Sequence, residues 1–242
     1  MKKLYVKKTK SNKKKLLLRL IGVVLILLGT SITAYVFSPL ILWQIFIAPV
    51  LQSQSVVVPI PITTLVTPAT IKSLFASQAS AFSGVDYNDA KNWFPTAEAE
   101  GHHSQVPQYM ITIPKLNITD AVVSTVDTDL AKHLVNFDGG CTPPDKGNCV
   151  IFGHSTLPQL YDPKNYKTIF ANILNIKIND TIIVNVNHVI YTYKVFSISV
   201  IDPDDTSVLA QTFDDSYLTL ITCTPPGTVW KRLVIRSRLQ TI

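Results

Sequence analysis

A thiol, an imidazole and a guanidinium in the second half of this chain have the types and spacing to act together. The stretch "LTLITCTPPGTVWKR", residues 218–232, ends an alternating apolar run on Cys223, turns through Pro225, Pro226 and Gly227, and returns to Arg232. The two residues are nine positions apart, with the midpoint between Gly227 and Thr228. A hairpin turning there sets them opposite each other on antiparallel strands, within a few ångströms on one face. A guanidinium so placed favours nearby negative charge, either a thiolate or the oxyanion of an attacked carbonyl. Spacing alone leaves plainer readings open. Arg232 alternates with Leu233 and Ile235, which suits a surface arginine turned away from the apolar face, and a strand cysteine is often core.

A thiol nucleophile also needs a proton-transfer partner, because a free cysteine with a pKa of about 8.5 is mostly protonated at neutral pH. Five histidines are available. His102 and His103 lie in a polar connection, His188 follows Asn187 at an expected hairpin turn, and His133 follows Lys132 in a segment with helical potential. His154 differs from these. It follows the apolar run "NCVIF" through Gly153 and precedes the polar loop "STLPQLYDPKNY", where a rigid strand end can present an imidazole to a cleft. Cys141, Cys149 and His154 are separated by seven and four residues, which does not match the short zinc-ligand pairs. No metal, cofactor or phosphate-cradling glycine loop is therefore expected.

The elements that must position these groups follow from composition and periodicity. Residues 1–19 hold eight lysines and Arg19 with no acidic residue, leaving 13 basic against 16 acidic residues in the rest of the chain. The globular part is thus not basic, and nucleic-acid binding loses its support. Residues 20–37 carry no charge and suit a bilayer span, with Pro39 expected to kink or end the helix. Lysines before the span place the N-terminus in the cytoplasm and the bulk outside. No Ala-x-Ala-like cleavage site is evident, which favours a retained anchor over a signal peptide. Outside the membrane cysteines can oxidise. Cys141 and Cys149 flank "TPPDKGN", a loop that can close as a small disulfide, leaving Cys223 the odd thiol.

Residues 52–107 read as a stalk with one short amphipathic helix near 68–82 and a connection that carries Trp93-Phe94-Pro95, an aromatic cluster expected to pack on the domain, with covering a groove as the alternative. From Gln108 onward the chain reads as all-β with short helices. "YMITIPKL" suits a bulged or edge strand, "YKTIFANILNI" has helical spacing, and "DTIIVNVNHVIYTYKVFSISVI" alternates about a turn at Asn187-His188. Several short strands with turn signals imply a closed barrel or a sandwich.

These residues together resemble a known family. "TLITCTPPGTVWKR" resembles the sortase signature, in which Thr-Leu-x-Thr-Cys is followed nine residues later by Arg, and "VIFGHS" resembles that family's histidine segment. "IPKLNITDAVV" is similar to its first strands and "FANILNIKINDTIIV" to its helix-to-strand passage, with Asn179-Asp180 where Gly-Asp is common. The similarity covers about 108–242. It implies a cysteine transpeptidase on a closed eight-stranded β-barrel. By position Cys223 would be the nucleophile, His154 the general acid/base and Arg232 the substrate and oxyanion stabiliser. The resemblance further implies attack on a backbone carbonyl in an LPXTG-like sorting signal, a thioester, and its resolution by an amine of a peptidoglycan precursor or a pilin lysine. "TCTPPG" is closest to the form seen in pilin-polymerising and some housekeeping members, and Trp93-Phe94-Pro95 only hints at the pilin type's lid motif. Lys132-His133 departs from the family's plainer Leu-x-x-Gly pattern, and Cys141 and Cys149 lie outside its signature.

The expected organisation is a basic cytoplasmic tail (1–19), a transmembrane anchor (20–38), an interfacial segment, stalk and helix (39–107) and a catalytic barrel (108–242). The expected partners are sorting-signal proteins, an amine acceptor and a lipid bilayer. The rival from another class is a non-catalytic barrel that binds envelope peptides.

Overall fold

The computed structural model describes residues 13–42, 45–46, 85–94 and 106–240. The expected helix near 68–82, Pro95, and His102 and His103 lie outside them. The chain divides into two units, Met1–Leu42 and Trp43–Ile242.

Among the described residues the first unit is one helix, α1 (Lys13–Leu42). Its stretch Leu16–Ser38, 23 residues, is long and apolar enough to cross a membrane. At 1.5 Å per residue it spans about 35 Å, against a hydrocarbon core of about 30 Å. Its hydroxyls turn back on the backbone, Thr30 to Ile26 O, Thr33 to Gly29 O and Ser38 to Tyr35 O. The helix does not end at Pro39 but continues to Leu42. Proline removes the N–H that would bond the carbonyl four residues back. That carbonyl is Tyr35 O, and the Ser38 hydroxyl donates to it at 3.0 Å, so the missing bond is replaced.

The second unit is built on eight strands: β1 (Gln108–Ile113), β2 (Ile118–Ser124), β3 (Leu134–Asn136), β4 (Gly147–Phe152), β5 (Thr181–Val186), β6 (Val189–Ile201), β7 (Ser216–Thr224) and β8 (Lys231–Leu239). They close a barrel in the order β1-β2-β3-β4-β7-β8-β6-β5. The pairs β2–β3 and β4–β7 are parallel and the rest antiparallel. Pro114 ends β1, whose pairing with β2 is bulged between Ile111 and Ile113. Asn187 and His188 take positive φ (49° and 68°) in the two-residue turn between β5 and β6. This is the conformation that a tight hairpin between right-twisted strands requires.

Two apolar layers result from the period-2 alternation of the strands. One fills the barrel, with Ile111, Ile151, Ile182, Leu218, Leu220, Leu233 and Ile235. The other lies on the outer face of β4, β7 and β8, where Val150, Phe152, Ile221, Cys223 and Val234 pack with Ala90, Trp93, Phe94, Val208 and Leu209. The segment 85–94 reaches this layer through backbone bonds of Ala90 N to Thr128 O and Leu130 N to Asn88 O.

The segment "YKTIFANILNI" is not a regular helix. It is a run of turns with one 3-10 turn at Ile173–Asn175. The Phe170 amide donates to His154 O, outside the segment, and the remaining local bonds span three residues, as in Ile173 N to Phe170 O. Phe170, Ile173 and Ile176 thereby fall on one side and enter the barrel core, an arrangement that apolar spacing alone mimics as α.

Candidate active site

β7 and β8 place Cys223 directly opposite Arg232, so the turn lies where the nine-residue spacing put it. Gly227 adopts φ +77° there, and the Thr228 amide donates to Pro225 O at 3.0 Å. His154 joins from the other side. The parallel register of β4 and β7 pairs Phe152 with Ile221. It continues past the end of β4, because Gly153 N donates to Ile221 O and Thr222 Oγ1 donates to Gly153 O at 2.6 Å. Two residues on from that pair stand His154 and Cys223, on neighbouring segments about 4.8 Å apart. Ser155 Oγ donates to Cys223 O at 2.5 Å and ties the two segments together at this point. His154, Cys223 and Arg232 thus form one row across three adjacent segments on the outer face.

Gly153 makes this approach close. A Cβ there would stand 2.4 Å from Phe170 and 2.6 Å from Leu134, both fully buried. The strand end is pressed against the core by a residue with no side chain.

Arg232 does point away from the barrel interior, but not into water. It is 2% exposed. Its Nη1 donates to Val229 O (3.0 Å) and Lys231 O (3.3 Å), and its Nη2 to Trp93 O (3.1 Å). The guanidinium carbon sits 5.5 Å from the Trp93 ring centre and 5.9 Å from that of Phe94. Among the described residues no carboxylate pairs with it. Nε has no hydrogen-bond partner, and neither does His154 Nε2 or Thr224 Oγ1.

Trp93 also stands 5.8 Å from the His154 ring and 5.6 Å from Phe152, centre to centre, and its Nε1 donates to Tyr87 O at 2.9 Å. Trp93 is 0% exposed and Phe94 3%. Trp93 and Phe94 of the aromatic cluster pack on the domain, Trp93 against the cation and the imidazole and Phe94 against the cation.

Burial sets the protonation states. It pushes the Cys223 thiol up, with Arg232 pulling the other way. It pushes His154 down, helped by Lys167 and opposed by Asp86 and Asp129. Both directions favour the uncharged forms, a thiol beside a neutral imidazole.

The other described histidines lie away from this row. His133 Nε2 lies 3.0 Å from Asp127 Oδ2, its Nδ1 meets Leu134 O, and its segment is a turn rather than a helix. His188 sits in the β5–β6 turn. The structure joins Cys141 to Cys149 in a disulfide, and Cys223 is the free thiol. Among the described residues no cluster of His, Cys, Asp and Glu has the arrangement to hold a metal ion. Sequence reasoning missed Ser155, whose only signal is its place beside His154, and the acidic and basic groups that act on His154 from 86, 129 and 167.

Comparison with known proteins bears on this arrangement. A family model for the Sortase domain matches residues 111–240. Sortase D of Bacillus subtilis (strain 168) is 25% identical over 136 residues, 54% of this chain, and the chain spans 63% of that relative's length. Sortase A from Corynebacterium diphtheriae is 26% identical, with a TM-score of 0.51 over 73% of this chain and 86% of that one. Sortase C-1 from Actinomyces oris is 24% identical, with a TM-score of 0.51 over 72% of this chain and all of the other, a likeness of fold.

Proposed function

As this chain belongs to the sortase family, we propose that it is a membrane-anchored cysteine transpeptidase that cuts an LPXTG-like sorting signal and passes the acyl part to an amine. The observation that carries this reading is the row of His154, Cys223 and Arg232, with Nε2 of the histidine and Nε of the arginine both left without partners.

In this reading Cys223 passes its thiol proton to His154 as Sγ attacks the scissile carbonyl carbon, forming the C–S bond. The charge that develops on the carbonyl oxygen is met by the Arg232 guanidinium, buried where its field is little screened. His154 gives a proton to the leaving amine as the C–N bond breaks, which leaves a thioester on Cys223. An incoming amine, from a peptidoglycan precursor or a pilin lysine, attacks that thioester, and His154 takes its proton and passes it to the departing sulfur as the C–S bond breaks, which restores the thiol. Because burial favours the neutral pair, the thiolate–imidazolium form is a minor species, and Arg232 acts on the oxyanion more than on the thiol. Trp93 and Phe94 must move aside before a substrate reaches Arg232.

The organisation that goes with this activity is a basic tail (1–19) on the cytoplasmic side, an anchor at 20–38, a connecting region (39–107) and an extracytoplasmic catalytic barrel (108–242). The helix through Leu16–Ser38 supports the anchor.

Incubating the full-length protein with an LPXTG-like peptide and recording intact mass tests the reading. A thioester adduct is expected on the wild type and none on Cys223→Ala. An adduct that survives in Cys223→Ala, or none on the wild type with any sorting peptide, refutes it and favours a peptide-binding barrel.

A further inference from the structure

The outer face of β8 carries a second feature beyond Arg232, a partly open cavity. Alternation places Arg232, Val234 and Arg236 on the same side, and Arg236 pairs with Thr219 of β7 and Ser197 of β6. At about 3.3 Å per residue, it lies roughly 13 Å along the strand from Arg232. Arg236 and Thr219 line a cavity of about 270 Å³ together with Asn148, Phe196, Thr212 and Tyr217. None of His154, Cys223 and Arg232 lines it.

The wall chemistry of this cavity is one-sided. Its floor is neutral and already satisfied, since Asn148 Oδ1 accepts from Thr219 Oγ1 at 2.6 Å and Asn148 Nδ2 donates to Val208 O and Ala210 O. Phe196 and Tyr217 form an aromatic wall, their ring centres 6.0 Å apart at 60°. The Tyr217 hydroxyl donates to Asp214, which fixes that ring. Only Arg236 brings charge. Of the carboxylates next to Tyr217, Asp214 accepts from its hydroxyl and Asp215 pairs with Arg238. Among the described residues none makes a hydrogen bond or ion pair with Arg236.

We propose that this cavity binds the carboxylate of an amino-acid-sized ligand whose apolar body rests on Phe196 and Tyr217. A guanidinium fork takes a carboxylate through two parallel N–H···O bonds, and one arginine matches one negative charge. A dianion would leave a charge uncompensated beside a neutral floor, and a cation would be repelled. The volume falls just below the range of about 300–1,000 Å³ usual for small-molecule sites, which limits the ligand to a fragment such as one residue. A terminal residue of a peptide and a free aromatic or aliphatic acid share this chemistry.

The test is titration of the full-length protein in detergent micelles with N-acetylphenylalanine, followed by saturation-transfer NMR. Binding is expected, weakened at least tenfold for N-acetylphenylalaninamide and for the Arg236→Gln and Phe196→Ala variants, with Arg232→Gln unaffected. The amide comparison uses the wild type alone and so stands even if a variant misfolds. An N-terminally blocked hexapeptide ending in phenylalanine separates the sources. Tighter binding than the single residue supports a chain terminus, and equal binding supports a free acid. No binding up to about 10 mM, equal binding of acid and amide, or loss with Arg232→Gln in place of Arg236→Gln overturns the proposal.

Discussion

Replacing Trp93 with alanine should uncover the thiol without damaging the barrel. Trp93 is fully buried, faces His154 and Arg232, and holds the segment 85–94 to the outer layer. A buried tryptophan removes roughly 200 Å² from water, worth about 5 kcal/mol at about 25 cal/mol per Å². Measured truncations of this kind cost about 3–5 kcal/mol. If that loss falls on local opening of the segment, each 1.4 kcal/mol raises the open population about tenfold, so the lower figure already gives about a hundredfold rise. The assay is the rate of Cys223 alkylation at fixed pH, which reads one site because the other two cysteines are bonded. Ile182→Ala is the control, since it opens a cavity of comparable cost inside the barrel, away from the outer layer. A Trp93→Ala rate within threefold of wild type refutes the reasoning, as does an equal acceleration in Ile182→Ala.

The kcat/KM for peptide cleavage should follow a broad bell in pH. Burial disfavours the imidazolium, which moves the His154 limb below the ordinary imidazole range, and disfavours the thiolate, which moves the Cys223 limb above the ordinary thiol range. Trp93→Ala, which wets both groups, should narrow the bell, and a wild-type profile already narrow would contradict the assigned environments. Arg232→Lys keeps the charge but loses the fork that reaches Val229 O and Trp93 O, and should lower kcat/KM by about 100-fold, the scale of one lost oxyanion donor. Gly153→Ala drives a methyl into Phe170 and Leu134 and should cost about 1–3 kcal/mol in urea unfolding, with slower cleavage as His154 shifts. Cys149→Ala frees an eight-residue separation and should lower stability by about 2.5 kcal/mol on the loop-closure estimate, while reduction of the wild type should add the mass of two hydrogens.

How far the sequence discloses this molecule depends on whether the relevant contact is local. The hairpin that pairs Cys223 with Arg232 needs only a turn and two alternating strands, so nine residues of spacing specify it. The β5–β6 hairpin is legible for the same reason, through Asn187-His188. His154 is different. It reaches Cys223 because β4 lies parallel to β7, a pairing across more than sixty residues that no local pattern encodes, so its strand-end context marked it as a candidate and only the family resemblance joined it to Cys223. The outer apolar layer was invisible for a related reason. Period-2 alternation on β8 marks Arg232 as outward, and outward ordinarily means solvent. Here a segment about 140 residues upstream, through Trp93 and Phe94, covers it. The run 166–176 misled in the opposite direction, because three-residue turns and α-helix both put Phe170, Ile173 and Ile176 on one side.

That covering changes how the arginine must be understood. A guanidinium 2% exposed, bonded to three carbonyls and set against two rings, but without a carboxylate, is an expensive way to fill a layer that Leu or Met would fill at lower cost. A purely structural arginine would be expected to use Nε as well, yet Nε has no partner and its nearest opposite residue is a thiol that burial holds neutral. The site therefore keeps a positive charge without a carboxylate beside a thiol, and in the proposed reaction negative charge arises there when a carbonyl is attacked. On that proposal the arrangement would bind the charge distribution of the attacked state better than that of the resting one, which is the requirement for rate acceleration. It also predicts a specific asymmetry. Arg232→Met, which removes the buried charge and keeps a side chain of similar reach, should leave the melting temperature unchanged or raised while abolishing thioester formation. A variant that both melts earlier and retains cleavage would mean that the arginine holds the fold and not the transition state.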